Sequence, residues 1–174
     1  YRMLEATKAN AAKNGYQGAQ YPWESADDGT EQCPDWTIEP DGTCYRCYVA
    51  VYEHHVTAAV AYGIYNYVRI THDTEFLLHK GAEILIETAR FWKSRLQYIK
   101  ENDRYEIHRV TGPDEWHEPV DNNVYTNYLA RWNLRYVTAL TEMLSREYPQ
   151  EYTALVEKLG LTEEEIADWD AVAA

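Results

Sequence analysis

A chain of 174 residues with 45% hydrophobic content is long enough to bury one packed core. Its net charge of −13 argues against nucleic acid and anionic membrane surfaces as partners, because both repel an acidic protein. No apolar run reaches membrane-spanning length and no segment reads as a signal peptide, so a soluble, cytoplasmic protein is expected.

Tyr1 to Asn14 is rich in Ala, Lys and Glu and reads as helix, with Gly15 as its stop. It starts as though already under way, and Ala171-Val172-Ala173-Ala174 ends without a cap, so both ends read as cut from a longer chain. From Gly15 to about Cys47, residues Gly18, Pro22, Gly29, Pro34, Pro40 and Gly42 predict an irregular stretch. A loop of that length inside a compact domain is usually functional. Cys44-Tyr45-Arg46-Cys47 has CxxC spacing and Cys33 stands nearby, but the second CxxC of a zinc ribbon is missing. Reduced thiols are the default reading.

Tyr48 to Ile70 carries Val51, His55, Ala58, Ala59, Tyr62, Ile64, Tyr65 and Val68 at helical spacing. His55 falls on the apolar face, where a lone histidine is more often a core group. Glu53 and His54 turn away from it and read as structural. Asp73 is placed to cap a helix from Glu75 to about Tyr98, with Leu78, Ala82, Leu85, Ala89, Trp92 and Leu96 on one face. A small hairpin is predicted from Gln97 to Lys100 and Tyr105 to Val110. Asn122 or Asn123 then caps a helix to about Glu147, ended by Pro149, with Arg131 and Arg135 placed to pair with the acids before it. Gln150 to Leu159 is a short helix stopped by Gly160, and Thr162 with Glu165 forms a capping box for the last one. The fold class is all-α, with one small β-hairpin.

Between hairpin and helix, Thr111 to Asn123 reads Thr-Gly-Pro-Asp-Glu-Trp-His-Glu-Pro-Val-Asp-Asn-Asn. Gly112-Pro113 and Pro119 break regular structure on both sides, which puts the acids on a short, stiff loop. Glu115 beside Trp116 is a carboxyl against an aromatic wall, and poor solvation of its charged form would raise its pKa. A proton donor to a glycosidic oxygen needs that property. The plain alternative is an acidic, solvated loop with a tryptophan anchor.

Gly112 to Asn127, Gly-Pro-Asp-Glu-Trp-His-Glu-Pro-Val-Asp-Asn-Asn-Val-Tyr-Thr-Asn, resembles the catalytic signature of glycoside hydrolase family 65. That family includes inverting phosphorylases of maltose, trehalose, kojibiose and nigerose. Gly18 to Ala26, Gly-Ala-Gln-Tyr-Pro-Trp-Glu-Ser-Ala, is similar to a second family block. Looser matches run from Glu53 through His55 to Tyr62 and over Glu87-Thr88-Ala89-Arg90-Phe91-Trp92. The resemblance implies an (α/α)6 barrel with its active site at one end of the inner ring. Residues 1–174 would form one arc of that catalytic domain, truncated at both ends and inactive in isolation.

The family's general acid falls on Glu115. By the same resemblance Trp23 would stack on glucose and Glu24 would accept bonds from sugar hydroxyls. Asp114 would orient Glu115, His117 would contact the leaving sugar, and His55 would touch substrate. The implied activity is phosphorolysis of an α-linked disaccharide, with maltose first in expectation, giving glucose and β-glucose 1-phosphate. Inorganic phosphate is the co-substrate and neither cofactor nor metal is implied. A disaccharide and phosphate are the expected partners, and the full-length enzyme is expected to be a homodimer. An inverting α-glucosidase of the same family and a non-catalytic carbohydrate-binding helical module are the alternatives. No phosphate cradle is visible in this stretch; in the family those contacts come from helices further along. Trp116 departs from the tyrosine common after the catalytic Glu, which bears on the second sugar.

Overall fold

Three helices form the frame. In the computed structural model, which describes residues 1–117 and 119–174, helices α3 (His55–Thr71), α5 (Ala82–Arg95) and α6 (Val124–Glu147) all pack against one another. α1 (Leu4–Lys13) lies on α5, and α7 (Pro149–Leu159) and α8 (Glu163–Ala173) fold back onto α6. The architecture is mostly helical, as the spacing of apolar residues predicts.

α5 is buried nearly all round, with Leu85, Ile86, Ala89, Phe91 and Trp92 inside the core. Its buried polar groups therefore need partners. Lys158 Nζ lies 2.6 Å from the Glu83 carboxylate. Arg90 donates to Glu87 at 2.9 Å, to both Glu165 oxygens at 2.8 and 2.9 Å, and to the Leu159 carbonyl at 3.1 Å. Glu165 is thereby drawn out of the expected capping box: Thr162 Oγ1 accepts from the Glu165 amide at 3.1 Å, but the carboxylate goes to Arg90. Only half the box forms. Arg131 likewise donates to the Ala173 carbonyl at 2.7 Å and, among the described residues, pairs with none of the acids before α6.

Tyrosine-rich rings join α3 to α6. Trp132 stacks on Tyr136 at 5.3 Å and Tyr65 meets both edge-on. Much of the aromatic surplus is thus spent on a helix seam.

Four local features differ from expectation. The long helix from Tyr48 is split into α2 (Val49–Tyr52) and α3, because Glu53 adopts a non-helical ψ of 69° and turns the chain. The predicted irregular stretch holds an antiparallel hairpin, β1 (Trp36–Ile38) with β2 (Cys44–Arg46), paired Trp36 to Arg46. Its three-residue strands are exposed on both faces, so no alternation marks them. After the Asp73 cap, where the Phe76 amide donates at 2.9 Å, the helix does not run straight. α4 (Thr74–Phe76) passes through a π turn at Leu77–Gly81, which brings Leu77 rather than Leu78 fully inward. α6 ends at Glu147 ahead of Pro149 as expected, but Pro149 is itself the first residue of α7, one position before the expected start. The second hairpin, β3 (Gln97–Ile99) with β4 (Arg104–Glu106), forms where predicted and leads toward the acidic loop.

Gly18 positions the Trp23 segment on α5. A Cβ there would sit 2.1 Å from the Glu87 carbonyl oxygen, and its φ of +66° is unfavourable for any other residue. Gly18→Ala in the full-length protein is expected to cost about 3 kcal/mol or more of stability. Urea unfolding measures this, and an unchanged midpoint would contradict the packing described.

Candidate active site

The acidic loop is closed at its base. Val110 and Val120 exchange two backbone hydrogen bonds of 2.9 Å each. Asp121 Oδ1 accepts from the Arg109 amide at 2.8 Å, and Asn122 Oδ1 from the Ile107 amide at 3.1 Å. Asn123 Oδ1 accepts from the Thr126 amide at 3.1 Å and so caps α6. Gly112 is needed because a Cβ there would meet the Asn123 side-chain amide nitrogen at 2.4 Å. Asp114 organises the tip: its side chain accepts from the Trp116 amide at 3.2 Å and its carbonyl from the His117 amide at 3.1 Å.

Glu115 lies exposed on this tip, with His117 beside it. The expected aromatic wall is not there. Trp116 is 97% exposed and shields nothing, because the turn set by Asp114 points the indole away from the protein.

A second arm reaches the same corner. The Thr111 amide donates to the Tyr52 carbonyl at 3.0 Å, tying the start of the loop to the end of α2. His55, first residue of α3, packs edge-on against Trp23 at 6.1 Å and against Tyr125 at 5.3 Å. Burial holds the His55 pKa below the usual value, while a hydrogen bond to the Thr111 backbone and the charge on Glu115 oppose that shift. Trp23, His55, Tyr125 and the Glu115 loop therefore share one neighbourhood. Glu53 does not turn away as expected; its carboxylate lies 3.5 Å from His55 Nε2.

Trp23 and Glu24 owe their placement to Glu31, a residue with no signal in an acid-rich stretch. Its carboxylate accepts from the amides of Trp23 at 2.7 Å, Glu24 at 2.9 Å, Cys33 at 3.0 Å and Gln32 at 3.1 Å. Trp23 remains 36% exposed, and the Glu24 residue is exposed as well. Tyr125 lies inside the Gly112 to Asn127 motif, where nothing in the sequence marks it as a partner of His55.

Behind this corner the His54 ring is buried against Tyr16 and Phe91, and its Nδ1 accepts from Arg95 Nε at 3.0 Å. Burial first, and the Arg95 charge next, push the His54 pKa down to about 3. Cys33 and Cys47 approach to 3.8 Å as free thiols, and burial and the neighbouring sulfur push Cys33 up to about 12. Cys44, the other half of the CxxC, is exposed on β2. Among the described residues no cluster of three or more such side chains is arranged to hold a metal ion. None of the described helices is long and apolar enough to cross a membrane.

The sequence model of the glycosyl hydrolase family 65 central catalytic domain matches residues 1–174. A kojibiose phosphorylase of Thermoanaerobacter brockii is 52% identical over 172 residues, covering 99% of this chain and 22% of the relative. An α,α-trehalose phosphorylase of the same organism is 40% identical over 99% of this chain and 21% of its own length. A kojibiose hydrolase of Flavobacterium johnsoniae is 40% identical over 91% of this chain and 22% of its own length. A solved structure of a human-microbiome protein assigned as a kojibiose phosphorylase superposes with TM-score 0.82 at 26% identity, covering 99% of this chain and 23% of that one. The chain thus spans about a fifth of the length of these relatives, and its fold is that of the matching barrel segment.

Two outcomes follow from this geometry. Glu31→Ala is expected to free the Trp23 and Glu24 amides and raise their hydrogen-exchange rates about tenfold, equivalent to about 1.4 kcal/mol of local stability. Unchanged exchange would refute the clamp. His54 is neutral when folded but takes a proton on unfolding below its ordinary pKa of 6.5. Its contribution to stability is complete above that pH and drains away as pH falls toward about 3. Melting temperature of the full-length protein should therefore fall more steeply from pH 6.5 to 4.5 in wild type than in His54→Gln. Parallel slopes would contradict it.

Proposed function

The chain belongs to glycosyl hydrolase family 65, and on that footing we propose that the protein carrying it is an inverting disaccharide phosphorylase acting on kojibiose. Glu115 is its general acid. The observation that carries this reading is a carboxyl held out on a loop with a rigid base, beside a corner formed by His55 and Trp23. Kojibiose replaces maltose as the substrate because the relative at 52% identity is named for kojibiose.

In this reading Glu115 donates its proton to the oxygen linking the two sugars as the bond from the anomeric carbon breaks. An oxygen of inorganic phosphate attacks that carbon from the opposite face, so an α-linkage yields β-glucose 1-phosphate and free glucose. Phosphate is already anionic and needs positioning rather than a base. The indole of Trp23 offers its face to the C–H surface of a glucose ring. Glu24, adjacent and exposed, is within the same loop and is assigned to sugar hydroxyls. Asp114 acts through the turn it forms beneath Glu115, and His117 is assigned to the departing sugar. No cofactor is required beyond phosphate as co-substrate.

Hydrolysis is the second reading, favoured by the 40% identity to a protein named kojibiose hydrolase. There water, activated by a second carboxylate, takes the place of phosphate.

Full-length protein incubated with kojibiose is expected to form β-glucose 1-phosphate only when phosphate is present. Glu115→Gln should lower that turnover by about 1,000-fold or more with an unchanged melting temperature. Glucose release at the same rate without phosphate would replace phosphorolysis by hydrolysis, and near-normal activity of the variant would remove Glu115 from its role.

A further inference from the structure

Arg95, the last residue of α5, is 4% exposed. Burying a guanidinium is costly and is normally offset by a carboxylate at contact distance. Here the groups it touches, among the described residues, are neutral. Nε donates to His54 Nδ1 at 3.0 Å, and one terminal nitrogen donates to the carbonyls of His108 and Arg109, the latter at 3.4 Å. The cation also sits 5.6 Å above the Tyr16 ring. Asp121 contributes charge from further away.

The partners are informative by their position in the chain. His54 immediately precedes His55, which faces Trp23. His108 and Arg109 immediately precede Val110, whose pairing with Val120 closes the Glu115 loop. One planar, rigid group thus holds the two arms of the candidate site at a fixed separation. Its fork geometry suits this task, since the donors lie in one plane at fixed angles. Arg109 itself needs holding: its φ is +54°, a left-handed conformation that costs a non-glycine residue about 1–2 kcal/mol. Its amide is fixed by Asp121, its carbonyl by Arg95, and its guanidinium packs on and donates to Tyr52.

We infer that Arg95 is a positioning residue for the general acid: it sets where Glu115 stands relative to His55 and Trp23. This rests on the assignment of Glu115 made above. The two consecutive carbonyls it bonds belong to the arm that leads into the Glu115 loop, so satisfying this buried cation also fixes that arm against the end of α5. A misplacement of about 1 Å in an acid–base group can cost about 100-fold in rate.

The test compares two donors in the full-length protein, because only one of them needs an acid. Kojibiose with phosphate requires protonation of its leaving oxygen. α-Glucosyl fluoride with phosphate releases fluoride, which departs with little proton assistance. Arg95→Lys and Arg95→Ala are measured against wild type, with Glu115→Gln as the reference for a lost acid. The expected result is a fall of about 100-fold in kcat on kojibiose and less than about threefold on the fluoride, with KM for phosphate within about threefold. Arg95→Lys should not recover, since a point charge cannot reproduce the fork. Added methylguanidinium should restore about tenfold of the kojibiose rate to Arg95→Ala. Equal losses on both donors in Arg95→Lys, the variant least disturbing to the fold, would overturn the inference and leave the role of Glu115 standing. Wild-type protein that forms glucose 1-phosphate from neither kojibiose nor glucosyl fluoride would overturn the phosphorylase reading and this inference with it.

Discussion

Two hydrogen bonds between Val110 and Val120 close the loop that carries Glu115, and the bond from the Thr111 amide to the Tyr52 carbonyl ties the arm leading to His55 to that closure. A loop of acids closed by side chains alone would be splayed by its own repulsion. Here the backbone supplies the closure and the flanking Asp121 and Asn122 spend their oxygens on amides of the opposite arm. Negative charge near the base is thus converted into hydrogen bonding, and the free carboxyl is left at the tip. Asn123 carries the same logic into α6, so the end of the loop and the start of the helix are one structure.

The base in turn depends on α5. A helix buried on nearly all sides needs partners for its charged groups, and this one carries Glu83, Glu87, Arg90 and Arg95. Three of them look toward α7 and α8 or toward each other, and they hold the outer helices in place. Arg95 alone looks toward the site. The distribution separates two tasks along one helix: ion pairs with carboxylates where stability is wanted, bonds to a histidine and carbonyls where a geometry has to be kept.

The long helices and the hairpin before the loop were legible because apolar spacing survives in them, as in the run from Leu85 to Trp92. The caps at Asp73 and Asn123 were legible because their chemistry is local. What escaped was decided at a distance. The break at Glu53 comes with a bond that His54 accepts from Arg95, 41 positions later, a partner that no local window of sequence contains. Glu31 clamps the Trp23 segment through bonds spanning only eight residues, yet it is one acid among several and nothing marks it. The expectation for Trp116 failed for a different reason: adjacency in sequence does not give adjacency of side chains, and a turn can face neighbours to opposite sides.

That last point bears on how the proposed chemistry is divided within the protein. A general acid needs both a fixed position and poor solvation of its charged form. The first is present in this chain, in the closed loop base and the Arg95 fork. The second is not, since Glu115 and Trp116 stand exposed and the chain spans 22% of the length of its kojibiose phosphorylase relative. The proposed phosphorolysis therefore calls on the rest of the protein for a desolvating surface and for cations that hold phosphate. The net charge of −13 on these 174 residues adds a separate demand, because phosphate must be held by local cations against the field they create. Screening over about 8 Å at physiological ionic strength confines that field, so only cations close to the bound phosphate can offset it. An exposed acid on a rigid mount is the half-site that such a division requires.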